Sequence, residues 1–152
     1  MSVTITLHLL SAVIWVGGMF FAYMVLRPAA ATLLEPPQRL PLWASCFTGF
    51  FVWVWLAVLL LPATGYWMLF TRFGGMAHAP LYVHLMNGIG MVMIALYAWL
   101  YFVPYRKLKT AVEGGDWKSG GANLNRIRRV VGTNLLLGLL TVTVAGAGRY
   151  IG

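Results

Sequence analysis

The sequence predicts an all-α integral membrane protein, a four-helix bundle forming a single domain over residues 1–152 with both termini periplasmic. Composition is the first reason. Of the residues, 61% are hydrophobic and 9% charged, with a mean hydropathy of +0.80, whereas a water-soluble domain carries about 25% charged residues. The second is that four uncharged stretches, 3–26, 42–71, 81–103 and 130–148, each approach or exceed the roughly 20 residues a helix needs to cross a bilayer. Transmembrane strands would be about 10 residues long and alternate in polarity. The third is the placement of Lys and Arg, which sets direction.

The first stretch has no basic residue ahead of it and outruns a signal-peptide core, so it reads as a mature span. After it, Arg27 and Arg39 mark the first connection. The second stretch is longer than a bilayer requires, and its interior Pro62 and Gly65 predict a kink, a tilt or a protruding end. Between the second and third stretches the only basic side chain is Arg72. The third leads into the segment 104–129, which holds Arg106, Lys107, Lys109, Lys118, Arg126, Arg128 and Arg129. Its Gly114-Gly115 and Gly120-Gly121 pairs predict a flexible cytoplasmic loop. The fourth ends at Arg149. Nine basic residues on one side against two on the other is a strong positive-inside asymmetry. The net charge of +8 is therefore a topology signal and a contact for anionic lipid, not a nucleic-acid face. Trp43, Trp99, Tyr101 and Tyr105 fall toward the basic side, and Trp67, Tyr82 and Tyr150 toward the other, as interfacial belts do.

No Asp or Glu lies in a span, since Glu35, Glu113 and Asp116 all fall between them. This argues against a carboxylate proton relay or hydrolase. The single Cys46 permits no internal disulfide. Two histidines remain at membrane depth. His8 enters the first span and His84 the third, from the same side, so their imidazoles should share a level. Facing histidines on bundle helices are a common axial ligand pair for haem iron. Small and aromatic residues recur on the same faces, with Trp15 on the first span and Gly88 and Met91 on the third. Arg72 and Arg149 would lie near enough to meet haem propionates. A bis-His haem b predicts electron transfer or membrane redox chemistry, which would make the chain a membrane oxidoreductase, with a quinone or a periplasmic redox partner and room for oligomerisation. The competing reading is copper. Met76, His78, His84 and Met86 fall within 11 residues, and thioether with imidazole favours Cu(I).

The first span, HLLSAVIWVGGMFFAYMVLRP, sets Trp15 seven residues after His8, then paired glycines, then Arg27-Pro28. Together with NRIRRVVGTNLLLGLLTVTVAGAGR at the other end, it resembles the CopD-like membrane family, named for copper-resistance protein D. The resemblance implies copper uptake or handling across the bacterial inner membrane. It also implies kinship with the four-helix, haem-binding, oxygen-independent type of protoporphyrinogen oxidase, in which His8 would match the first-helix histidine. That branch carries His-Ala-Lys at the start of its third helix. Here the segment reads VHLMNG, with His84 and no lysine.

Overall fold

A computed structural model describes residues 1–151, apart from the side chains of Arg149 and Ile151. It consists of four long helices, which we name α1 (Ser2–Leu33), α2 (Pro36–Phe73), α3 (Leu81–Glu113) and α4 (Trp117–Ile151). All four are long and apolar enough to cross a membrane. The only other regular element among the described residues is a single tight turn, Met76–His78.

Each helix end has a local cause. Glu35 is extended, and Pro36 then opens α2, where a missing N–H costs nothing. Gly74, at φ 70°, closes α2 in the left-handed conformation, its N–H donating to the Phe70 carbonyl. Pro80 starts α3 from an extended conformation. The Asp116 carboxylate accepts the Ser119 amide at 3.1 Å and caps α4.

The segment 104–129 differs from the flexible loop its composition predicts. α3 runs on to Glu113 and α4 begins at Trp117, so the connection is only three residues, 114–116. Leu108 and Ala111 on α3, and Asn123 and Ile127 on α4, are buried there. The helices outlast the bilayer because their extensions pack on each other, which a hydropathy window does not register.

α1 and α3 share an irregularity. Their hydrogen-bond ladders widen to π-type turns at Phe21–Leu26 and Tyr101–Tyr105, beside Pro28 and at Pro104. Proline removes one ladder donor and forces such adjustments. Each proline lies 20 residues after a histidine, 8 to 28 and 84 to 104. Twenty helical residues rise about 30 Å, the thickness of a hydrocarbon core. The two histidines therefore stand near one membrane face and the two prolines near the other.

Packing divides the bundle into two antiparallel hairpins, α1 with α2 and α3 with α4. Within the first, Phe50 lies where a Gly18 side chain would be. Within the second, Tyr82 presses on Gly148 in the same way. Such close approach through small residues is how membrane helices gain dispersion energy. Between the hairpins α4 meets α1, with Gly138 against Val16 and Gly132 against Tyr23. α2 and α3 are instead bridged by rings. Phe51 and Trp55 of α2 meet Tyr97, Tyr101 and Tyr105 of α3 at centroid distances of 4.8–6.0 Å, mostly edge to face. Trp15 of α1 adds an edge contact to Tyr97 at 6.1 Å. The Tyr97 hydroxyl donates to the Phe51 carbonyl, and Tyr105 shares a 2.7 Å hydrogen bond with Thr48. Other aromatic side chains face outward, Trp53 and Trp67 among them.

The core lies toward the basic end. Among the described residues, no side chain of α1 before Ser11, of α3 before Met93, or of α4 after Gly138 is buried.

Candidate functional site

The helix N-terminus of α1, the end of α2, the turn Met76–His78 and the start of α3 meet at the end opposite the basic residues. All three histidines belong to this end.

His8 is the most constrained. α2 carries Pro62, whose ring cannot donate to the carbonyl one turn back. Two residues on, the Thr64 hydroxyl donates to the Leu60 carbonyl at 2.5 Å. With its proton committed there, Thr64 Oγ1 accepts a hydrogen bond, and His8 Nδ1 is its neighbour at 2.8 Å. Gly65 leaves room for the ring, the His8 Cε1 lying 3.3 Å from where a Cβ would stand. The network assigns the proton to Nδ1 and leaves the Nε2 lone pair free. A histidine whose second nitrogen is fixed in this way is oriented for metal ligation.

The other candidates are less enclosed. His84 lies in the first turn of α3, its backbone amide donating to Pro80, and its side chain is exposed. His78 is exposed at the end of the turn, while Met76 and Met86 are half-buried. Residues two apart on a helix do not face each other, so His84 and Met86 project on different sides. Among the described residues, no group of three or more His, Cys, Asp or Glu side chains stands close enough to hold a metal ion.

The residues expected to wall a haem slot are placed differently from that expectation. Trp15 is buried in the ring cluster, only 3% exposed. Phe50 fills the space at Gly18 on the same face of α1. Gly88 and Met91 lie on an exposed face of α3. Arg72 is exposed at the end of α2, and the side chain of Arg149 lies outside the described residues. α1 and α3 do not pack directly along their backbones. The structure thus lends no support to a haem between them.

Thr64 had no place in the sequence expectations, although a threonine beside Pro62 and Gly65 in a span was a usable signal. The same holds for the hydrogen bond from the Tyr66 hydroxyl to Asn87 Oδ1, 2.9 Å, which ties the hairpins at this end.

A family model, copper resistance protein D, matches residues 44–147. The chain belongs to the copper resistance protein D family. The match runs from early α2 through most of α4 and includes Met76, His78, His84 and Met86, while α1 with His8 precedes it. The family resides in the bacterial inner membrane, in keeping with the four spanning helices. Nothing in the match points to the haem-binding branch. No curated protein and no solved structure matches the chain.

Proposed function

We propose that this protein handles copper at the inner membrane, receiving Cu(I) at the periplasmic end through Met76, His78, His84 and Met86, with His8 Nε2 as a ligand deeper in the bundle. The observation that carries the reading is the family match across the segment bearing those four residues. The nine-to-two distribution of basic residues directs the basic end to the cytoplasm and both termini to the periplasm. Imidazole and thioether choose Cu(I) over harder divalent ions.

The test is Cu(I) binding to the purified protein, by competition with a chromophoric chelator, together with copper accumulation in cells that depend on the protein. His84→Ala combined with Met76→Ala should lower accumulation. Thr64→Val, which strips His8 Nδ1 of its acceptor, should weaken Cu(I) binding about tenfold, as second-shell losses do. Absence of bound copper at micromolar concentration, with accumulation unchanged in these variants, would overturn the proposal.

A second reading, bis-His haem b on His8 and His84, rests on the two histidines entering their spans from the same side. It would bring electron exchange with a quinone or a periplasmic partner. An absorption spectrum of protein made with ample haem decides between the two: a Soret band lost in His8→Ala favours haem, and a colourless protein that binds copper excludes it.

A further inference from the structure

At the basic end, away from the histidines, a cleft of about 360 Å³ opens between α1, the start of α2 and the start of α4. Its lining includes three arginines, Arg27, Arg39 and Arg128. Arg27 is held in place, donating from Nε to the Tyr23 carbonyl at 3.2 Å and stacking over the Tyr23 ring at 4.4 Å. No acidic side chain lines the cleft. Glu35 and Asp116 neighbour the lining residues Pro36 and Trp117, but both are exposed, and Asp116 accepts the Ser119 amide. Apolar and aromatic side chains make up much of the lining, among them Ala22, Trp117 and the buried Trp43 and Phe47.

Three cations with no carboxylate among them, set over an apolar slot, match one chemistry: a phosphate joined to hydrocarbon. Their level supports the same occupant. Arg27 adjoins Pro28, one core thickness from His8, so the guanidiniums stand where headgroup phosphates lie. Basic pockets between helices on a cytoplasmic face bind anionic headgroups. The geometry points to a resident anionic phospholipid, its phosphodiester on Arg27, Arg39 and Arg128 and an acyl chain along the Ala22–Phe47 wall. This site is independent of the copper proposal and shares no residue with it.

The experiment measures phospholipid retained by the detergent-purified protein, using native mass spectrometry after exchange into phosphatidylglycerol or phosphatidylcholine micelles. Phosphatidylglycerol should be retained preferentially, and each of Arg27→Gln, Arg39→Gln and Arg128→Gln should weaken retention about fivefold, the worth of one basic residue near a membrane surface. Gly121→Leu fills the cleft without touching charge, because a Cβ at Gly121 meets nothing within 4 Å; it should also lower retention. Lys107→Gln/Lys109→Gln/Lys118→Gln removes three charges outside the cleft, more than any single arginine variant, and should leave retention intact. Equal retention of both lipids, an equal loss in the lysine variant, or displacement of the lipid by millimolar glycerol phosphate or inorganic phosphate would overturn the assignment. The last outcome would make the site one for a free anion. Gly121→Leu keeps the test decisive should the arginine variants fail to insert.

Discussion

The two halves of this bundle are built on different terms. Toward the basic end all four helices share a core of rings and close glycine contacts, from Trp15 and Phe51 to Tyr105 and Ile127. Toward the termini each hairpin holds to itself: α1 to α2 around His8, Thr64 and Gly65, and α3 to α4 through Tyr82 and Gly148. Among the described residues, the one side-chain hydrogen bond between the hairpins there is that of Tyr66 with Asn87. The difference teaches where stability and chemistry reside. Packing that fixes the fold lies at one end, which frees the other to expose the polar and soft side chains that a buried core would not tolerate.

The largest effect that would break this comparison is expected at the ring cluster. Phe51→Ala removes a buried ring from contacts with Phe47, Tyr97, Tyr101 and Tyr105 and should cost about 3–5 kcal/mol, seen as a lowered unfolding midpoint in detergent. Trp67→Ala, equally aromatic but 62% exposed near the termini, should shift the midpoint little, within about 0.5 kcal/mol. A similar loss in both would dissolve the distinction.

A smaller contrast lies along α4. Gly138→Leu would drive a side chain onto Val16 and Met93, the nearest atom 2.9 Å from the new Cβ, at a cost of about 1–3 kcal/mol. Gly146→Leu, two turns on, meets nothing within 4 Å and should be tolerated. The smallest is Tyr66→Phe, which deletes the tie to Asn87. Its stability cost should be about 0.6 kcal/mol, typical of an interhelical hydrogen bond in a membrane, but hydrogen exchange at the starts of α1 and α3 should rise, as expected if that bond restrains the open end.

Much of this plan was legible in the chain. Uncharged stretches located the four spans because lipid tolerates little else, and the entry direction of α1 and α3 put His8 and His84 at one end. Helix extensions past the bilayer were not legible. Leu108 and Ile127 are buried where the extensions of α3 and α4 pack together, in a segment whose arginines and lysines dominate any average. Nor was the use of Trp15. A tryptophan at helical spacing from a histidine reads equally well as a cofactor wall or a core residue, and only the arrival of Tyr97 from α3 decides between them. Thr64 was missed for a related reason: its partner lies 56 residues away, and the pairing exists only once α1 and α2 are docked.

The outward-facing tryptophans have an optical consequence. Trp53 and Trp67 are both lipid-exposed on α2, 56% and 62%, and 14 residues separate them, about 21 Å of helix rise. Trp15 and Trp43 are shielded inside. With the third exposed indole, Trp99 (45%), replaced by Phe, a bilayer whose acyl chains carry a quencher at a chosen depth will dim one exposed indole of α2 before the other. The bundle thus contains its own depth gauge, able to report tilt or partial withdrawal of α2 from the membrane with no added label.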